Sequence, residues 1–156
     1  MSEASAPERT ARIRLAAARL CARYGWAPLH EVALPDGRRA DILALRPDGG
    51  FVCIEVKSGP RDFLADGKWH EYRAHCDALF FAVDVDFPQE LLPAEAGLIV
   101  AWEQQAELLR DAAPHPLAPA RRRALLHRFA RLAAGRLALR EDPMGAAMLR
   151  AGLLAE

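Results

Sequence analysis

Leu34-Pro35-Asp36-Gly37-Arg38-Arg39-Ala40-Asp41-Ile42-Leu43-Ala44-Leu45-Arg46-Pro47-Asp48-Gly49-Gly50-Phe51-Val52-Cys53-Ile54-Glu55-Val56-Lys57 holds two Pro-Asp-Gly turns with an apolar run after each. Proline presets φ and glycine accepts the left-handed conformation, so each triplet is a strong turn signal. The runs between and after them, Arg39 to Leu45 and Phe51 to Lys57, are rich in β-formers and predict strands. Trp26 to Leu34 predicts a strand before the first turn. Three strands joined by short turns make an antiparallel meander.

On the N-terminal side, Pro7 to Tyr24 predicts a helix: Ile13, Ala16, Leu20 and Tyr24 recur near helical period, and Gly25 stops it. After the meander, Ser58-Gly59-Pro60 breaks the chain, and Asp62 to Cys76 reads as one helix that Gly67 weakens. Ala78 to Val85 is a nearly continuous apolar run, the pattern of a buried central strand. A strand, a helix and a further strand imply a crossover and a mixed sheet. Asp86 to Ala96 reads as loop and Gly97 to Trp102 as another strand. Beyond Pro114, Pro116 and Pro119 the chain turns to alanine, leucine and arginine, predicting a helix through about Arg140 and a short helical tail after Pro143. The expectation is one α/β domain over residues 1–156, with a core at about 7–103 and a C-terminal helical extension at about 118–156.

Alternation on the third strand puts Phe51, Cys53, Glu55 and Lys57 on one face and the apolar Val52, Ile54 and Val56 on the other. If strands two and three form a hairpin about Asp48-Gly49, Asp41 falls beside Glu55 or Lys57. Residues paired directly across such a ladder sit ~5 Å apart. Two carboxylates that close repel unless a cation lies between them, and oxygen ligands suit magnesium or manganese. The Val56 carbonyl is a candidate further ligand. Lys57 would orient the attacking water or stabilise the charged transition state. The competing reading is a solvated Glu/Lys face with an ordinary cross-strand ion pair.

Composition narrows the classes. There are 21 basic and 21 acidic residues, for a formal net charge of zero, which argues against a protein that coats nucleic acid non-specifically. Arginines are nonetheless crowded at 121, 122, 123, 128, 131, 136 and 140, with no acid between them. Lys57 and Lys68 are the only lysines. Cys21, Cys53 and Cys76 have no C-x-x-C spacing, so a disulfide framework or zinc site is not expected. His70, His75 and Cys76 match no usual zinc pattern. No apolar run is long enough to span a bilayer. The N-terminus has no hydrophobic signal segment, so cytoplasmic residence is expected.

Asp41, a turn and Glu55-Val56-Lys57 within an α-β-β-β-α-β outline resemble the PD-(D/E)XK nuclease superfamily. Residues 5–103 further resemble its MmcB-type branch of bacterial mitomycin-resistance DNA repair proteins. The match runs through Leu34 to Asp41, Glu55 to Ser58, Asp62 to Trp69, Glu71-Tyr72 to Cys76-Asp77, Phe80 to Val83, Asp86 to Pro88, Leu91 to Pro93 and Gly97 to Val100. The resemblance implies a restriction-endonuclease-like core with a mixed central sheet flanked by helices. Asp41 and Glu55 would hold Mg²⁺ or Mn²⁺, with Lys57 as the catalytic lysine and Glu31 as a candidate further ligand. Ala40 replaces the proline of the superfamily's name. The expected activity is hydrolysis of DNA phosphodiester bonds in repair; the alternative is a non-catalytic DNA-binding or recruitment module on the same scaffold. An RNA-processing nuclease would share the chemistry. Lys68, Arg38 and Arg39 are candidate phosphate contacts, and Trp69 and Tyr72 candidate stacking surfaces. Helix packing is the simpler reading for Trp69, and Asp62 and Asp66 read as charges near a helix start. The expected partners are DNA and either a repair protein or a second copy of the chain.

Overall fold

The computed structural model describes residues 3–154. These fall into two compact units, one ending at Leu117 and the other starting at Ala118. The first opens with helix α1 (Ala6–Arg23). Ser5 caps it: the Ser5 hydroxyl accepts the Glu8 N–H while the Glu8 carboxylate accepts the Ser5 N–H at 2.8 Å, a reciprocal box that satisfies two otherwise orphaned donors. The far end closes with Gly25 at φ 71°. There the Trp26 N–H reaches the Cys21 carbonyl and the Gly25 N–H that of Ala22, a glycine-dependent helix stop.

Strands β1 (Ala27–Ala33), β2 (Arg39–Leu45) and β3 (Phe51–Val56) form the antiparallel meander. The two Pro-Asp-Gly turns close alike. Gly37 and Gly49 take φ of 85° and 86°, and the Asp36 and Asp48 carboxylates accept the N–H two residues on. From β3 the chain passes through a short helix, α2 (Pro60–Ala65), and a 3₁₀ segment (Trp69–His75) to β4 (Ala78–Asp84), which lies parallel to β3. β5 (Gly97–Trp102) lies parallel to β4, and β6 (Gln105–Arg110) antiparallel to β5. The result is a six-stranded mixed sheet in the order β1-β2-β3-β4-β5-β6.

α1 covers one face of the sheet. Ile13, Ala16, Ala17 and Leu20 pack there on Ile42, Val52, Ile54, Phe80 and Ile99. The other face packs Phe81, Val83, Leu98 and Val100 against Phe63 of α2, Phe87 and Trp69. Asp77 ties the C-terminal stretch of this unit to β3. Its carboxylate accepts the Phe51 N–H at 2.7 Å and the Leu117 N–H at 2.8 Å, while its own carbonyl accepts the His115 N–H. The second unit consists of α3 (Pro119–Glu141) and α4 (Pro143–Leu154). No helix among the described residues is long and apolar enough to cross a membrane.

Two expectations are corrected. The helix expected over Asp62 to Cys76 is broken. Asp66 leaves helical geometry at φ −92°, ψ 81°, its carboxylate drawn to Lys57 and to the Lys68 N–H. A sixth strand also stands at Gln105–Arg110, where the sequence offers helix formers rather than a strand pattern.

Candidate functional site

Asp41 stands at the start of β2 and Glu55 near the end of β3. The ladder pairs Ile42 with Ile54, so the next step along sets Asp41 abreast of Glu55. Two hydrogen bonds lock the arrangement. The Asp41 N–H donates to Glu55 Oε1 at 3.3 Å, and the Val56 N–H donates to Asp41 Oδ2 at 2.8 Å. Each carboxylate thus spends one oxygen on the backbone.

Glu55 is only 4% exposed. Burial, reinforced by repulsion from Asp41, pushes its carboxyl up to about 8 despite the Asp41 N–H and Lys57. Asp41 is also raised, mainly by burial, against the opposing pull of the Val56 N–H, Lys57 and Arg14. Both carboxyls are under-compensated, the condition that a cation relieves.

Lys57 follows on the same face and is buried. Its N–H donates to the Ala82 carbonyl, continuing the ladder towards β4. Its ammonium lies 2.9 Å from Asp66 Oδ2 and 4.0 Å from Asp62 Oδ1. Asp62 also accepts the Ser58 N–H at 3.0 Å. These two aspartates therefore belong to the site. The available signal was their separation by one helical turn directly after the lysine-bearing strand, but seeing it required knowing that the chain folds back.

Glu31 occupies a break in β1. His30 pairs with Ile42 and Val32 with Ala40, leaving Glu31 abreast of Asp41 with φ 49°. That left-handed conformation costs a non-glycine residue about 1–2 kcal/mol. Its carboxylate is engaged by Arg14 of α1 at 3.0 Å and by Arg39 at 3.8 Å. Among the described residues, no three His, Cys, Asp or Glu side chains converge as a metal-holding group.

The other candidates lie around this end of the sheet. Arg38 pairs with Glu71 and stacks over the ring of Tyr72, 5.5 Å from its centroid. Tyr72 is buried, with its hydroxyl donating to the Arg39 carbonyl. Trp69 packs edge-on to Phe81. Lys68 is exposed. Arg9 reaches from α1 to the Ser58 carbonyl and to Asp84 at the end of β4.

The two hard carboxylates fit magnesium or manganese; the buried Cys53 thiol, 3.8 Å from Glu55 Oε1, is held protonated by its contact with Cys76 and by burial. Magnesium is commonly held by one or two carboxylates with waters and substrate phosphates completing its shell.

Residues 1–144 match the family described as DNA repair protein MmcB-like. No match is found among the curated proteins. Among solved structures, the chain is similar to the SPO1766 protein of unknown function from Silicibacter pomeroyi. That similarity has 43% identity, a TM-score of 0.81, and covers 92% of this chain and 97% of the other. The chain belongs to the MmcB-like family of DNA repair proteins.

Proposed function

We propose that the chain is a DNA repair nuclease with a restriction-endonuclease-like, PD-(D/E)XK core, hydrolysing DNA phosphodiester bonds with Mg²⁺ or Mn²⁺. The observation that carries this reading is the locked carboxylate pair, half-buried Asp41 and buried Glu55, with the buried Lys57 following Glu55 on the same strand face. Asp41, Glu55 and the Val56 carbonyl would hold the ion. The chemistry such an ion supplies when bound is polarisation of the phosphoryl group and acidification of water.

The chain's own residues do the rest. Burial disfavours the charged forms of Asp41 and Glu55 in the absence of a partner, and a cation between them would stabilise those charged forms. The Lys57 ammonium is placed to offset the charge that builds on a phosphoryl oxygen in the transition state. Asp66 and Asp62 restrict where it points. Arg38, Arg39 and Lys68 are candidate backbone contacts. Trp69 and Tyr72 would support the strand-facing surface rather than stack freely on bases. A repair protein or a second copy of the chain is the proposed partner.

The competing reading is a non-catalytic DNA-binding module on the same scaffold. Manganese titration by calorimetry, joined to a cleavage panel of branched, nicked, crosslinked and single-stranded DNA with an RNA control, separates the two. Asp41→Asn and Glu55→Gln should each abolish saturable metal binding and cleavage. Lys57→Ala should keep metal binding and lose turnover by on the order of 100-fold or more. Metal-indifferent DNA binding with no cut substrate would leave only the module. Selective cleavage of the RNA control would redirect the substrate class.

A further inference from the structure

Arg14, Arg39 and Glu31 stand beside Asp41 on three different elements, and the hydrolysis above assigns no step to Arg14 or Glu31. Both guanidiniums converge on one oxygen. Arg14 Nη1 lies 3.0 Å and Arg39 Nη2 3.8 Å from Glu31 Oε1. Arg14 Nε is buried without a hydrogen-bond partner in the protein. The Glu31 and Arg39 side chains are 47% and 65% exposed. An ion pair this exposed contributes little to stability. Moreover, Glu31 makes it from a backbone conformation that L-residues disfavour. Stability therefore does not account for the arrangement.

Anion geometry does. A guanidinium is a fork, satisfied best by a group offering two oxygens in one plane. One shared carboxylate oxygen leaves the Arg14 fork half used. A phosphodiester carries two non-bridging oxygens, and could meet both arginines at once.

We propose that Arg14 and Arg39 form a binding pair for a DNA backbone phosphate beside Asp41, and that Glu31 fills this pair in the DNA-free protein as an internal stand-in. DNA and Glu31 then compete for the same two cations. The inference rests on the reading that this end of the sheet meets DNA, and is independent of whether the DNA is cut.

Competition predicts opposite signs for partners in one ion pair. The test is anisotropy with a short labelled duplex, using the full chain in EDTA over a salt series. Arg14→Gln and Arg39→Gln should each weaken binding about 3- to 10-fold and reduce the salt slope by about one. Glu31→Gln should tighten binding by a similar factor, and that gain should vanish in the Arg14→Gln background. Glu31→Gly, which suits the positive φ, should tighten binding likewise. Unchanged or weaker binding by both Glu31 variants overturns the proposal, as do unaltered salt slopes in both arginine variants. A Glu31→Gln protein that binds DNA as before but loses manganese affinity makes Glu31 a metal ligand, and also overturns it. If Arg14→Gln fails to fold by circular dichroism, the exposed Arg39 carries the test. Shifts in binding without any cleavage would remove the nuclease reading and keep the phosphate pair; cleavage with binding unmoved would do the reverse.

Discussion

Glu55 keeps its proton to an unusually high pH because burial and Asp41 both oppose its charged form. The unfolded chain releases that proton near the ordinary value of 4.5, whereas the folded chain releases it at about 8. Between these values the native state holds the extra proton, so stability falls as pH rises. The contribution is complete below about 4.5 and lost as pH climbs through about 8. Thermal melts from pH 4.5 to 8.5 should show this fall in the metal-free protein and a flatter profile in Glu55→Gln. Added manganese should restore stability most at the alkaline end; a metal-free profile unchanged by Glu55→Gln would contradict it. Lys57 offers a second check, since Asp66 is its nearest counter-ion. Asp66→Ala should destabilise by about 1–3 kcal/mol, read from the urea midpoint, as a buried ammonium loses a charged hydrogen bond.

The strands impose constraints of a different kind. Gly97 pairs with Phe80 across β4 and β5, and a Cβ there would stand 2.2 Å from the Phe80 ring. That ring is fully buried, so Gly97→Ala should cost about 1–3 kcal/mol by overpacking, measured as a lower denaturant midpoint. Asp77→Ala strips acceptors from the Phe51 and Leu117 N–H groups. About 2–5 kcal/mol should be lost, with amide exchange at Leu117 accelerating first. The Pro-Asp-Gly turns, the meander and the ends of β2 were legible because their signals are local: preset φ, left-handed glycine and a run of β-formers. β6 was not. Its residues, Gln105 to Arg110, include helix formers, and its turn uses Glu103 at φ 51° where glycine would have announced it. What makes it a strand is β5 on one side and Arg19 and Arg23 of α1, which bond the Gln104 and Ala106 carbonyls. The break at Asp66 was hidden similarly, since an ion pair with a residue nine positions back has no local pattern.

For the molecule as a whole, zero net charge conceals a division. The residues from 118 onward carry eight arginines against three acids, leaving thirteen basic against eighteen acidic residues before them. The sheet unit is therefore net acidic, and Asp36, Glu71, Glu31, Asp84 and Asp66 hold several of its cations in ion pairs. If this site binds DNA as proposed, the affinity would come from a few placed cations rather than from a general field. If Arg14, Arg38, Arg39 and Lys68 supply it, four phosphate contacts at about 0.9 each give a salt slope of roughly −3 to −4. A measured slope near −8 would instead show that the arginines beyond residue 118 dominate binding.

Asp41, Glu55 and Lys57 could be grouped from the primary structure because a hairpin with a firm turn has only one register that buries its apolar face, and alternation then fixes which side chains share the other. The roles of Glu31, Asp62, Asp66 and Arg14 could not. Their partners come from separate elements, and charges in a chain say nothing of which opposite charge they will meet. Local conformational preference wrote the hairpin; long-range packing of α1 and α2 against the sheet chose the company its carboxylates keep.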